Sequence, residues 1–543
     1  MRVVIGFGAR STATADDVEA LLPPFDGDVV VALSTVDGRA DLAEEVAARH
    51  GWDVVTHPAG VLAGVAVPNP STVVASHAGT PSVAEAAALL TARAVASDAG
   101  SPSVAEAAAS LTAGSPSVAE AAALLTAGSP VPPAAVLVAA KRSSDVATVA
   151  VAAIAPGVTV VGIGADGLAS VSAEGHAAIA AATVVFGGAR QLDLVTAVRK
   201  VAWPSPLVPA LPRLLAEHHA DRVVVLASGD PMYHGIGTTL VRLLGAGHVH
   251  VVPHPSSVSL ACARLGWALD DVEVVSAVGR SVDALRRVLH DGRKVLVLSS
   301  GAATPPQVAA ILAETGFGGS AVTVLESLGG PDERVHRDVT AAGPLNVVAV
   351  DCRGTTGTPV VAGLADDSYA SDGQITKREI RAVTLAALGP RPGELLWDVG
   401  AGSGSIAIEW LRAHRSCRAV AVERDPVRAG RVTANARTLG VPQLSTVLGA
   451  APDALDGLET PDAVFIGGGF TAAGVFERCW SALRPGGRLV VNAVTVESER
   501  LVADLHATHG GSLVRIAVQR AAPVGGFLAW RPMMPVTQWV VWK

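Results

Sequence analysis

The 543-residue chain is short of three things. Its four cysteines, Cys262, Cys352, Cys417 and Cys479, are scattered and form no CxxC pair, which excludes a disulfide framework and a zinc site and suits a reducing cytoplasm. Aromatic residues make up only 3% of a chain that is 50% hydrophobic, so Ala, Val and Leu must build the interior. Positive charge is also short. The formal net charge of -8 leaves no polyanion-binding footprint and argues against nucleic acid as the main partner. The opening MRVVIGFGAR has no apolar core of signal-peptide length. One uncharged run, Val146 to Ala165, approaches the length of a membrane span, but Pro156-Gly157 cuts it into one strand ending and another beginning. These absences predict a cytoplasmic protein with no metal centre and no membrane partner.

What is present is an alternation of apolar strands with helical patterns, the mark of α/β architecture. Three units are expected. The first, residues 1–155, carries RVVIGFGA, DVVVALSTV and intervening helices, and is interrupted by a repeat at about 79–130. Near-identical copies begin at Gly79, Gly100 and Gly114, so the period changes from 21 to 14 residues, whereas a solenoid keeps one period. Tandem duplication of a single helix fits better, with Ser82, Ser103 and Ser117 as caps and Glu85, Glu106 and Glu120 three residues on. Two copies then form a loop insertion of low cost. The second unit spans 156–352. A Gly/Thr-rich and then polar stretch, 353–373, reads as a linker or mobile lid, and the third unit spans 374–543.

The third unit holds LLWDVGAGSGSIAIEW, a strand, a glycine-rich turn and a helix. Gly400, Gly402 and Gly404 permit backbone angles that side chains forbid, and the helix start aims its amides at a ligand. A dinucleotide fingerprint would place its third glycine at position 405, where Ser405 stands. The neighbours decide the ligand class. Glu423 ends the next strand, where a carboxylate can accept ribose hydroxyls. LGAAPDAL, PDAVFIGGG and ALRPGGRLVVNAV follow in order.

That ordered set resembles the class I S-adenosylmethionine (SAM) methyltransferases, with their Rossmann-like fold. With ITKREIRA and LVVNAVTVES it is similar, more narrowly, to the C-terminal half of the precorrin-6Y C5,15-methyltransferase (decarboxylating) family of cobalamin biosynthesis. The resemblance implies that Thr376 lies at the SAM site, Gly400, Gly402 and Gly404 at the methionine moiety, Glu423 at the ribose and Ala451 near the adenine. Lys377, Arg378 and Arg381 are open to two readings. One is a solvated helix start; the other is a clamp for substrate carboxylates, which would offset the cost of positive charge at a helix N-terminus.

The second unit carries VVGIGADG, VVVLASGDPMYHGIG, PHPSSVSLACARLGW and VLESLGGPDERV. In order these resemble the two-lobed class III tetrapyrrole methylases, the N-terminal half of the same family. The resemblance implies a second SAM site at Gly162, Gly164, Gly229, Asp230 and Pro231. Ala165-Asp166 stands where Pro-Gly is usual, and Val278 where a histidine is expected. The first unit resembles the small C-terminal domain of cobalamin biosynthesis protein G, with Ala9 in place of a common cysteine. Its candidate functional residues are Glu85 and Lys141, which also read as a helix cap and a solvated lysine.

Together the resemblances imply a small-molecule tetrapyrrole substrate and two methyl transfers, to carbons 5 and 15 of a reduced corrin precursor, with loss of carbon dioxide from the ring C acetate. They also imply self-association into a homo-oligomer. Two other readings stay open: a cobalt-containing substrate, and outer units that bind tetrapyrrole without catalysis.

Overall fold

The structure is a computed structural model that describes residues 2–25, 29–63, 65, 67, 82–97, 134–144, 146–155, 157–196, 199–337, 342–354 and 357–543. The chain folds as two compact units, one of residues 1–260 with 327–333 and one of residues 261–326 with 334–543.

The first unit contains two sheets. In one, the strands run in the order Asp53–His57, Val29–Val36, Arg2–Ala9, Ala147–Ala155 and Ala134–Ser143, the first three parallel and the last two antiparallel additions. The helix Val83–Ser97 packs on this sheet so closely that a Cβ on Gly6 would collide with the backbone of Ala84 and Ala88. This helix is the first repeat copy, and Ser82 caps it by accepting the Glu85 amide at 3.5 Å. The other two copies, with Ser103, Glu106, Ser117 and Glu120, lie outside the described residues. The uncharged run resolves into the strands Ala147–Ala155 and Val158–Ile163. Val158–Ile163 belongs to the other sheet, an all-parallel one ordered Val249–Val252, Val158–Ile163, Val223–Ser228, Val184–Gly187, Arg199–Ala202. Its central strands are covered on both faces, which is why they read as Val-rich runs, VTVVGI, VVVLAS and VVFG, without apolar-polar alternation.

In the second unit a mostly antiparallel sheet runs Val272–Ser276, Lys294–Leu298, Asn346–Asp351, Ala321–Glu326, Arg334–Arg337. The segment expected as one two-lobed domain thus supplies one sheet to each unit. Residues 395–542 form a seven-stranded sheet ordered Ser445–Leu448, Arg418–Glu423, Leu395–Val399, Ala463–Ile466, Arg488–Ala493, Val536–Trp542, Ser512–Ile516. Val536–Trp542 is antiparallel to both neighbours, and the other pairs are parallel. Among the described residues no helix is long and apolar enough to cross a membrane.

The expected linker needs correction. Residues 363–372 are fastened down, because Glu409, buried in the helix Ser405–Ala413, draws donors from them. Its carboxylate accepts the Gly363 amide at 2.6 Å, the Leu364 amide at 3.1 Å and the Tyr369 hydroxyl at 2.8 Å. Asn435 holds both backbone groups of Ala370, and Asp372 pairs with Arg428 at 2.9 Å and Arg431 at 3.0 Å. Arg381 completes the arrangement with Nε 2.6 Å from Glu409. Breaking a buried pair strands the remaining charge, so Glu409→Gln is expected to lower stability by about 3 kcal/mol, read as a reduced urea midpoint of the cooperative transition that includes the 395–542 sheet.

Candidate functional site

The strand Leu395–Val399 is buried throughout, so its carboxyl end must deliver the chain sharply to the helix behind it. Three glycines do this with positive φ: +71° at Gly400, +60° at Gly402 and +77° at Gly404. They differ in a second constraint. A Cβ on Gly400 would sit 2.7 Å from the Gly468 backbone, and one on Gly404 would sit 2.8 Å from Val432. At Gly402 the nearest atom is the Gln374 carbonyl at 3.7 Å, so conformation alone demands glycine there. Gly404 is the residue that starts the helix, which explains why the third glycine comes one position before a dinucleotide fingerprint would put it.

Side chains then lock the turn. Glu423, 5% exposed, accepts the Gly402 amide at 2.8 Å and the Asp425 amide at 3.0 Å. Lone pairs remain on its two oxygens for further donors. The Gly449 amide bonds the Glu423 carbonyl at 2.9 Å, which brings the turn holding Ala451 beside Glu423. The Gly467 amide bonds the Val399 carbonyl at 2.9 Å, bringing in the FIGGG loop. All these groups gather at carboxyl strand ends around Leu395–Val399, where the strand order reverses and α/β sheets place their ligands.

Three contributors escaped the sequence reading. Asp398, the last acid before the turn, accepts the Ala407 amide at 3.0 Å and so ties strand to helix. Burial pushes its carboxyl up to about 7, opposed by that amide and helped by the Glu423 charge. Asn435 donates to the Ser403 carbonyl at 2.9 Å, clamping the turn from behind. The buried Ser403 hydroxyl has no hydrogen-bond partner among the described residues. Asp398 stands inside the motif itself and was legible as a buried strand-end acid; the other two depend on long-range contacts.

The Gln374 carbonyl, two residues before Thr376, lies against the glycine turn, 3.7 Å from where a Cβ on Gly402 would sit. Arg381 does not join a substrate clamp. It is 0% exposed, and beyond Glu409 its guanidinium donates to the Thr376 carbonyl at 2.5 Å, to Asp366 at 3.3 Å and to the Leu364 carbonyl, while lying over the Tyr369 ring. Those partners use its donors and leave no path to a ligand. It holds Thr376 in place instead. Arg378 is exposed and Lys377 is half-buried, with its ammonium 3.4 Å from the Gly373 carbonyl.

In the first unit, Gly162, Gly164 and Gly229 meet at the carboxyl ends of neighbouring parallel strands, with the Gly229 amide on the Ile163 carbonyl at 2.8 Å. Gly229 has φ +59°, Asp230 turns the chain by accepting the Met232 amide at 2.8 Å, and the Pro231 carbonyl accepts the Gly237 amide at 3.0 Å. Glu85 is fully buried and 3.8 Å from Lys141, itself mostly covered, so this lysine is not simply solvated.

Residues 3–98 match the family "Cobalamin synthesis G C-terminus", 157–342 "Tetrapyrrole (Corrin/Porphyrin) Methylases", and 367–543 "Precorrin methyltransferase domain". A precorrin-6Y C(5,15)-methyltransferase [decarboxylating] of Sinorhizobium sp is 48% identical over 73% of this chain and 98% of its own length. The chain belongs to the precorrin-6Y C5,15-methyltransferase (decarboxylating) family. Two relatives match smaller shares. A cobalt-precorrin-7 C(5)-methyltransferase of Salmonella typhimurium is 32% identical over 33% of this chain and 88% of that protein. A probable cobalt-precorrin-6B C(15)-methyltransferase (decarboxylating) of Saccharolobus solfataricus is 32% identical over 26% of this chain and 73% of that protein.

The raised carboxyl of Asp398 ties this precorrin-6Y family site to pH. A carboxyl whose folded value exceeds its unfolded one favours the folded state at low pH and disfavours it as pH rises through the folded value. Stability is therefore expected to fall between pH about 4 and about 7, and Asp398→Asn, which keeps an acceptor for Ala407, is expected to flatten that fall in urea titrations across pH.

Proposed function

We propose that the chain methylates a reduced corrin precursor at carbons 5 and 15 and decarboxylates its ring C acetate arm, using SAM at two sites. The glycine turn closed by Glu423 carries the reading, within a family whose relatives bear that activity in their names. SAM, when bound, supplies a methyl group on positively charged sulfur. The residues at the 400–404 turn fit it: a backbone concavity, an acidic side chain with spare lone pairs, and an orphaned Ser403 hydroxyl. Gly400, Gly402 and Gly404 bring backbone to the methionine part, Glu423 takes the ribose and Ala451 borders the adenine.

The bridging carbons of such a macrocycle are enamine-like nucleophiles, so the protein's main task is alignment. Asp398 and Asn435 keep the turn rigid, and Arg381 with Glu409 keeps Thr376 at its edge. Lys377 and Arg378 are the substrate-facing cations, suited to carboxylate arms. Electrons freed by carbon dioxide loss pass into the iminium-like ring, so no protein base is required there.

We assign the carbon-15 transfer and decarboxylation to the 374–543 segment and the carbon-5 transfer to the edge holding Gly162, Gly164, Gly229, Asp230 and Pro231. Support comes from relatives named for one carbon each, which match only a third and a quarter of this chain. A cobalt-free substrate is favoured because the relative matching most of the chain is named without cobalt. The four cysteines are free and buried, which suits a cytoplasmic setting. Incubation with reduced precorrin and labelled SAM, followed by mass spectrometry, is expected to show two methyl gains and loss of carbon dioxide. Gly402→Arg is expected to abolish the carbon-15 gain and decarboxylation alone; loss of both methylations would refute the assignment.

We also infer self-association. The hairpin Gln519–Val524/Phe527–Pro532 leaves Phe527 83% and Trp530 70% exposed, beside exposed Leu528 and Met534. Large apolar side chains left this exposed on both faces of a hairpin mark a protein interface. Sedimentation of a Phe527→Ser, Trp530→Ser double variant is expected to give a smaller species than the parent, and an unchanged mass would remove the hairpin from the interface.

A further inference from the structure

The sequence departs from the tetrapyrrole methylase pattern at Ala165-Asp166, and the structure gives Asp166 a role. Its Oδ1 lies 2.5 Å from the Ser170 hydroxyl, which lies 2.8 Å from His254 Nε2, while His254 Nδ1 lies 3.0 Å from the Pro255 carbonyl. The three side chains cover the strand-end turns. A Cβ on Gly164 would be 2.5 Å from Asp166 Oδ1, 2.9 Å from Ser170 Oγ and 3.0 Å from His254 Cε1. One on Gly162 would be 2.7 Å from the His254 Cβ and 2.5 Å from the Gly229 carbonyl.

Counting hydrogens fixes the protonation state this geometry needs. The Pro255 carbonyl only accepts, so Nδ1 carries a hydrogen. Ser170 has one hydrogen to give. If it goes to an ionised Asp166, Nε2 must donate and His254 is an imidazolium. If it goes to Nε2, Asp166 must be a carboxylic acid. Either way the chain of groups holds one proton more than a carboxylate, a hydroxyl and a neutral imidazole. Removing that proton sacrifices either the Asp166–Ser170 bond inside the 164–170 loop or the Ser170–His254 bond that joins this loop to the one at His254. Charged groups on adjoining elements are Asp230, which accepts the Met232 amide, Arg190, which donates to the Ser228 hydroxyl, Glu174, paired with His250 at 2.7 Å, Glu333, which accepts the Gly329 amide at 2.7 Å, and the exposed Asp332.

We propose that Asp166, Ser170 and His254 form a proton-holding clasp that sets the first glycine loop in its donor-binding shape, so that His254 is a positioning residue for SAM at this edge. The inference rests on the reading of this edge as a SAM site. Protonated, the clasp keeps both of its bonds; deprotonated, it keeps one, the loop is held less firmly and affinity falls.

The test is calorimetric titration of the full chain with SAM in a Gly402→Arg background, which leaves one donor site, repeated in a Glu423→Ala background. Affinity is expected to fall about tenfold from pH about 6 to about 9, the scale of one charge-assisted hydrogen bond. Adding His254→Gln is expected to give weak binding at both pH values with no slope, and Ser170→Ala the same. Binding indifferent to pH, or an unaltered slope in His254→Gln, would overturn the clasp. Absence of heat at every pH in both backgrounds would instead overturn the edge as a SAM site.

Discussion

The buried pair of Arg381 and Glu409 is the constraint on which the carboxy-terminal site depends. Glu409 sits in the helix that the glycine turn launches, and Arg381 sits in the helix that follows ITKRE. Two charges taken out of water are tolerable only when every remaining donor and acceptor is satisfied. Here that requirement recruits backbone groups of Gly363, Leu364 and Thr376 and the Tyr369 hydroxyl, whose own ionisation burial suppresses. The pair thus does more than join two helices. It fastens the polar stretch from Gly363 to Tyr369 against the helix that the glycine turn launches.

A second constraint works within the turn. Asp398 and Glu423 end adjacent parallel strands, and each spends oxygen lone pairs on backbone amides of the segment it must shape. Burial, helped by the nearby Glu423 charge, raises the cost of ionising Asp398. Glu423 stays closer to the opening and keeps capacity for a ligand. The division of labour between two carboxylates therefore follows from their depths in the sheet.

The two glycine-turn edges solve a similar problem differently. In the 395–542 sheet a carboxylate on the neighbouring strand end holds the turn through a backbone amide. In the first unit the loop after Val158–Ile163 is tied to the loop at His254 through side chains, Ser170 and His254. The first arrangement is insensitive to protonation near neutrality except through Asp398; the second contains an imidazole at its centre.

Much of this was legible in local pattern. Strand, glycine turn and helix at 395–413, the acid at Glu423, the strand break at Pro156-Gly157 and the capped helix after Ser82 all follow from nearest neighbours, because turn angles and helix caps are decided within a few residues. Charge type was legible as well, but charge depth was not. Whether Arg381 faces a substrate or a buried glutamate depends on a helix 28 residues away in the chain, and the fastening of 363–372 depends on the same Glu409 together with Asn435, Arg428 and Arg431. The His254 clasp joins groups 84 residues apart. Sequence alone determined which backbone shapes are possible and which kinds of ligand they suit. Tertiary structure decided which ionised groups keep access to water and ligand and which are consumed holding the chain, since desolvation is a property of the packed whole and not of any short segment.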